Sequence, residues 1–181
     1  MNHLPGKQPD SVAARQDFHP CPANNMRTMF FITKGRYILM LKGISPILSP
    51  ELLKILMEMG HGDELVIGDG NFPAASNAQR LVRLDGHGVP EILDAILQLF
   101  PLDTYVEAPV SLMQVMPGDP CRPTIWATYH ELADQHEGRE VPFEMVERFA
   151  FYDRARTAYA IVASGESALY ANIILRKGVV K

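Results

Sequence analysis

The stretch MGHGDELVIGDGNFP, residues 59–73, decides the fold. Its centre, ELVIG at residues 64–68, is a short apolar run typical of a buried strand, with turn residues on both sides. His61 stands between two glycines before the run, and Asp69 stands between two glycines after it. The sequence therefore predicts a core strand with one polar side chain near each end.

A helix is predicted just before this strand. Ser49 is a suitable N-cap, Pro50 suits the first turn, and Glu51 places a negative charge near the positive end of the helix. Apolar residues then recur at helical spacing: Leu52, Leu53, Leu56 and Met59. Gly60 is predicted to end the helix in the left-handed conformation that glycine adopts at low cost.

Helical and strand patterns alternate along the rest of the chain. Strands are predicted over residues 81–84, 110–115, 158–164 and 171–177, and helices from Pro90, over residues 124–136 and over residues 142–157. This alternation favours a single α/β domain, a three-layer α/β/α arrangement whose helices cover both faces of a mostly parallel or mixed sheet. We assign residues 40–181 to this domain. Residues 1–39 are predicted to be a disordered extension, because a stretch rich in proline and scattered charge buries too little apolar surface to offset chain entropy.

The composition excludes several classes of protein. A net charge of −4 provides no general attraction to nucleic acid, and no segment has the roughly 18 apolar residues that cross a bilayer. The only two cysteines, Cys21 and Cys121, make neither a disulfide framework nor a zinc set, which favours a reducing cytoplasm. We therefore expect a cytoplasmic protein with neither a nucleic-acid nor a membrane partner.

His61 is the leading candidate for chemistry. A histidine side chain exchanges protons near neutral pH, and its flanking glycines let backbone and substrate approach closely. Asp69 gains functional interest from its position, since ligands of open α/β sheets bind outside the carboxyl ends of strands. Both residues are also ordinary turn residues. A metal site of His61, Asp63 and Asp69 is a further alternative, which the lack of any HxH, HExxH or CxxC pattern disfavours.

A second group of candidates lies in the C-terminal third. Arg148 and Tyr152 are four residues apart and share one face if their segment is helical, although a surface arginine beside a core tyrosine would give the same pattern. Tyr170 and Asn172 fall between two apolar runs. A hydroxyl and an amide at such a point can donate and accept hydrogen bonds, as recognition of a polyhydroxylated ligand requires.

Four motifs, in this order, resemble the L-fucose mutarotase and ribose pyranase family, also called the RbsD/FucU family. They are GHGDE at residues 60–64, DGNFP at 69–73, RFAFY at 148–152, and GESALYAN with the following IILRKGV at 165–179. The similarity extends from residue 40 to residue 179. RFAFY and the PLDTY segment, residues 101–105, resemble the fucose branch more closely than the ribose branch.

The resemblance implies an enzyme that interconverts the anomers of L-fucose or a related aldose, without a cofactor or a metal, and that forms a homo-oligomer. His61 would be the general acid, and Asp69 would serve both catalysis and binding. The substrate-binding residues implied by the resemblance are Asp69, Arg148, Tyr152, Tyr170, Ala171 and Asn172. Asn71 departs from some bacterial relatives, which carry histidine there, so the preferred sugar stays open.

The spacing of His61 and Asp69 raises a geometric question. Eight residue steps separate them, and an extended chain could place them up to about 26 Å apart. Either turns at both ends of the strand bring the two side chains together, or the residues belong to pockets assembled by neighbouring subunits. A sugar-binding protein without turnover is the main functional alternative, and a metal-dependent isomerase or hydrolase is a third.

Overall fold

The computed structural model describes residues 41–180, so the prediction of a disordered segment over residues 1–39 lies outside the described residues. One sheet contains six strands: β1 Glu64–Gly68, β2 Leu81–Leu84, β3 Val110–Met113, β4 Phe143–Val146, β5 Ala160–Ser164 and β6 Ile173–Arg176. The helices of the described chain are α1 Pro50–Glu58, α2 Ala74–Asn77, α3 Val89–Leu97, α4 Ile125–Glu137 and α5 Arg148–Thr157.

The strand order is β2-β5-β1-β6-β3-β4. Strands β1, β2 and β5 are parallel, β3 and β4 are parallel, and β6 is antiparallel to both β1 and β3. The predicted mixed sheet is therefore confirmed. We call the end of the sheet where β1 and its parallel neighbours finish the carboxyl end, and the opposite end the amino end. Since β6 runs the other way, it starts at the carboxyl end.

Helices cover both faces of the sheet, as predicted. Leu65 and Ile67 of β1 point into one apolar core, which also contains residues of α1, α3 and α4. Val66 points into a second core on the other face, where Phe151 and Ala155 of α5 pack with Phe72. Residues 65–68 are all buried, because both faces of this strand are covered.

The helix predicted over residues 142–157 is partly wrong. Its first part is the strand β4, and only α5 is helical. Strand β4 pairs in parallel with β3, with Val110 opposite Phe143. Its four residues show no regular alternation of buried and exposed side chains, so the sequence has no local strand pattern here. Glu147 then separates the two elements, because its carboxylate accepts hydrogen bonds from the first amides of α5. The short helix α2 lies in a segment predicted to be a loop.

The N-cap of α1 is confirmed, but the predicted role of Gly60 is wrong. The Ser49 side chain accepts a hydrogen bond from Leu52 N at 3.2 Å. Helix α1 ends at Glu58, and the next residue, Met59, has an extended backbone. The left-handed residue of this turn is Gly62, with φ of 86°. Gly62 N donates to Lys177 O at 2.8 Å, so the turn is shaped by its contact with the end of β6 rather than by the helix alone.

Candidate active site

The register between β1 and β6 determines which polar residues meet. Ile67 lies opposite Ile173, so the residues that follow β1 face the residues that precede β6. At the other end Glu64 lies opposite Arg176. One antiparallel pair of strands thus builds a polar group at the carboxyl end and another at the amino end.

Asp69 and Asn172 form the centre of the group at the carboxyl end. Asp69 N donates to Asn172 Oδ1 at 2.9 Å, and Asn172 Nδ2 donates back to Asp69 Oδ2 at 3.0 Å. Asn71 N donates to Asp69 Oδ1 at 2.9 Å. Asp69 and Asn172 are both buried, with 5% and 4% of their surface exposed. Burial raises the pKa of Asp69, and the hydrogen bonds from Asn71, Ala171 and Asn172 only partly offset that rise.

Tyr170 stands next to this pair in a strained conformation. It is the one non-glycine residue among those described that has a positive φ, 57°, which costs roughly 1 to 2 kcal/mol. Its hydroxyl donates to Asp119 Oδ2 at 2.6 Å and accepts from Met116 N at 3.4 Å. Burial and the hydrogen bond to Asp119 raise the pKa of Tyr170, so the side chain remains a neutral phenol that donates hydrogen bonds.

Helix α5 brings Arg148 and Tyr152 to the same end of the sheet. The Tyr152 ring packs against Phe72 with centroids 5.7 Å apart. The Arg148 guanidinium lies 4.7 Å from the centre of the Phe149 ring, and its positive charge offsets a small part of the rise in the pKa of Tyr170. Among residues 41–180, Arg148 Nε is a buried donor that has no acceptor in the protein. Such a donor suits an oxygen-rich ligand.

Close packing accounts for the glycines on both sides of Asp69. A Cβ at Gly68 would lie 2.8 Å from the Phe72 side chain, and one at Gly70 would lie 3.0 Å from Glu166 O. Asp69 also borders a cleft of about 340 Å³ whose other walls include Arg83 and Ser164. Arg148, Tyr152, Tyr170 and Asn172 do not line it, so we do not identify this cleft with the candidate site.

His61 belongs to a separate group at the amino end. Its Nε2 lies 3.1 Å from Asp103 Oδ1, and its ring contacts Tyr105 edge to face with centroids 5.5 Å apart. Asp103 is 2% exposed and also accepts from Tyr105 N at 2.9 Å and from Arg176 Nε at 3.3 Å. An isolated bridge between Leu102 and Lys177 fixes this segment beside the end of β6.

The bonding of Asp103 determines the proton arrangement on His61. Burial alone would raise the pKa of Asp103, but hydrogen bonds from Tyr105 and His61 and the charge of Arg176 outweigh it, so the pKa is lowered. An ionised carboxylate only accepts hydrogen bonds, so Nε2 of His61 carries the hydrogen of this contact. Nδ1 is then the ring nitrogen that can exchange a proton with a ligand. The His61 side chain is 48% exposed and accessible for that role.

The structure thus divides the residues predicted from the sequence into two groups. Asp69, Tyr170, Ala171 and Asn172 come together at the carboxyl end, with Arg148 and Tyr152 nearby. His61 does not join them within this chain. Sequence reasoning missed Asp103, because its role depends on pairing with β6, which is distant in sequence. Within the described range no group of three or more His, Cys, Asp or Glu side chains is placed to hold a metal ion.

Comparison with known proteins identifies the family of this chain. The model of the RbsD / FucU transport protein family matches residues 42–180. An L-fucose mutarotase of Actinobacillus pleuropneumoniae is 54% identical over 140 residues, which cover 77% of this chain and 97% of the relative. A fucose mutarotase of Homo sapiens is 49% identical over 145 residues, 77% of this chain and 94% of the relative.

A solved structure of the fucose mutarotase from Streptococcus pneumoniae in complex with L-fucose has the same fold. It superposes with a TM-score of 0.75 at 52% identity and covers 78% of this chain and 100% of its own. The family model and these relatives extend over nearly all the described residues. The chain therefore belongs to the RbsD/FucU family.

Proposed function

We propose that the protein is a sugar mutarotase that interconverts the α and β anomers of L-fucose or a related aldose by acid–base catalysis. The observation that carries the proposal is the pairing of His61 with the buried, ionised Asp103, which orients an exposed ring nitrogen for proton transfer. The names of the relatives and the L-fucose in the Streptococcus pneumoniae structure support the choice of sugar.

The reaction requires only proton transfers and a site that holds the sugar. A base removes the proton of the anomeric hydroxyl while an acid protonates the ring oxygen, and the ring opens to an aldehyde. C1 then rotates, and the reverse transfers close the ring on the other face. Each positioned proton transfer contributes about 10² to 10⁴ in rate. No step of this scheme calls for a cofactor, and we propose that none is used.

We assign the acid role to His61 and sugar binding to the group at the carboxyl end. The carboxylate of Asp103 accepts the hydrogen of His61 Nε2 and so orients the ring for this role. Asp69 orients the sugar or takes part in the second proton transfer, for which a raised pKa suits a carboxyl group. The remaining binding residues are Arg148, Tyr152, Tyr170, Ala171 and Asn172, with Arg148 Nε offering a buried donor to a sugar oxygen.

We further propose a homo-oligomer in which His61 of one subunit serves the binding group of another. Strand β1 separates the two groups by roughly 13 Å, at about 3.3 Å per residue. Exposed apolar side chains occur at both ends, with Tyr105 at 70% exposure beside His61 and Phe149 at 59% beside Arg148. Such side chains are typical of protein contacts. Within residues 41–180 no helix is long and apolar enough to span a membrane, and a cytoplasmic location stays a prediction.

The proposal is tested by saturation-difference NMR of L-fucose, which measures exchange between the α and β signals. The protein should accelerate exchange far above the uncatalysed rate, and exhaustive EDTA treatment should leave the acceleration unchanged. A binding protein without turnover would broaden the sugar signals but leave the exchange rate at the uncatalysed value. A panel of aldoses that includes D-ribose, measured in the same way, identifies the preferred sugar.

A further inference from the structure

Two aromatic residues of α4 contact the segment that holds Tyr170 and Asn172. Trp126 Nε1 donates to Tyr170 O at 2.8 Å, and the Tyr129 hydroxyl donates to Ala171 O at 2.9 Å. The two donors are three residues apart, so they lie on the same face of the helix. They therefore bind two consecutive carbonyl groups of the segment.

These contacts restrain a backbone that would otherwise relax. Tyr170 has the positive φ described above, a conformation that persists only when surrounding structure holds it. Two residues after Tyr170, the side-chain amide of Asn172 must also point at Asp69. With both carbonyl groups fixed, the Tyr170 hydroxyl and the Asn172 amide keep their directions relative to Asp69.

Helix α4 is well suited to act as a fixed support. It packs on α3, and His136 Nε2 lies 2.7 Å from Asp94 Oδ1 of that helix. Tyr129 has no exposed surface, and burial strongly raises the pKa of its hydroxyl, so that group remains a donor. Helix α4 therefore connects the core that contains Leu65 and Ile67 to the segment at the carboxyl end of the sheet.

We propose that Trp126 and Tyr129 are positioning residues for the sugar-binding group at the carboxyl end. Their hydrogen bonds to the carbonyl groups of Tyr170 and Ala171 hold that group in its binding conformation. This inference rests on the proposed function, because it assigns the segment to sugar binding. Neither residue needs to touch the sugar itself.

The test compares Tyr129→Phe with the wild-type protein in the L-fucose exchange assay. The variant keeps the ring and loses the donor, so kcat/KM should fall about tenfold, mainly through a higher KM. Tyr159→Phe is the matched control, since its hydroxyl contacts Glu58 Oε2 at 3.4 Å, far from the segment, and its kinetics should equal the wild type. A merely structural role would lower the melting temperature of Tyr129→Phe but leave KM and kcat per folded molecule unchanged.

Trp126 also provides a measurement that does not depend on turnover, because it is the only tryptophan in the chain. Its emission should shift between the wild type and Tyr129→Phe without sugar, since its Nε1 binds the same segment. If the wild type fails to exchange L-fucose, the proposed function fails, and this emission shift alone decides the positioning role.

If Tyr129→Phe does not fold, Trp126→Phe, at a half-buried residue, should show the same rise in KM. Wild-type kinetics in Tyr129→Phe, or in Trp126→Phe where Tyr129→Phe does not fold, would overturn the inference. An unchanged emission spectrum would overturn it where the wild type shows no exchange.

Discussion

His61 and Asp69 lie at opposite ends of β1 and bond to different partners, His61 to Asp103 and Asp69 to Asn172. The turns at the two ends of the strand do not bring these side chains together. The geometry therefore leaves the assembly of two subunits as the way in which both residues could serve one sugar.

Replacing His61 should abolish most of the exchange activity. We expect His61→Ala to lower kcat for L-fucose by about 10² to 10⁴, because one positioned proton transfer is lost. The half-exposed side chain should be removable with the fold retained, which circular dichroism checks. His87→Ala is a matched control, since His87 also stands between glycines and its side chain pairs with the exposed Glu91. Equal exchange rates in the two variants would remove His61 from the mechanism.

Asp103 should matter through its charge rather than its size. Asp103→Asn keeps the shape of the side chain but removes the charged acceptor that orients His61 and fixes the position of its ring hydrogen, so we expect kcat to fall about 10- to 100-fold. The exchange assay measures this, with Asp153→Asn as the control, because Asp153 pairs with Arg156 on the surface of α5. A wild-type rate in Asp103→Asn would show that the pair is structural only.

Asn172 should contribute to both sugar binding and stability. Asn172→Ala removes the amide that binds both the backbone and the carboxylate of Asp69. Leaving these buried groups without a partner costs about 1 to 3 kcal/mol, and we expect KM to rise at least tenfold. Denaturant titration and the exchange assay measure the two effects separately. A loss of stability with an unchanged KM would place Asn172 outside the sugar pocket.

The two buried aspartates should affect stability with opposite dependence on pH. The pKa of Asp69 is raised above its ordinary value of 3.8 in the folded state, so its stabilising contribution is present below that value and lost as the pH rises through the folded pKa. The free energy of unfolding of the wild type minus that of Asp69→Asn should therefore fall with rising pH. The pKa of Asp103 is lowered, so its contribution is present above 3.8 and lost as the pH falls through the folded pKa. Denaturant titrations between roughly pH 2 and pH 7 measure both differences. Slopes of the same sign would contradict these assignments.

The sequence predicts most of the fold because its strongest signals are local. The buried strand β1 and the capped helix α1 are determined by apolar spacing and by Ser49. Strand β4 is missed because its pairing with β3 connects distant segments. Gly60 is assigned the wrong conformation because the turn depends on Lys177, more than a hundred residues later.

The candidate site shows the same division. Asp69, Tyr170 and Asn172 are recognisable from their positions beside apolar runs and from the family motifs. Their mutual hydrogen bonds follow only from the antiparallel register of β1 and β6. Asp103 carries no local signal of its own, since an aspartate after a proline and a leucine is an ordinary loop residue. Its contact with His61 follows only from the fold, in which the bridge between Leu102 and Lys177 holds this segment beside the end of β6.

The most direct test of the account is subunit complementation between two variants, each impaired in a different half of the proposed pocket and assayed at an L-fucose concentration below KM. His61→Ala and Asn172→Ala are purified separately, mixed, dissociated and reassembled, and their L-fucose exchange is measured by saturation-difference NMR. If His61 serves the pocket of a neighbouring subunit, about a quarter of the pockets in an equal mixture combine two intact halves, and activity should return to that fraction of the wild type. An exchange rate equal to the mean of the two separate variants would contradict a pocket shared between subunits.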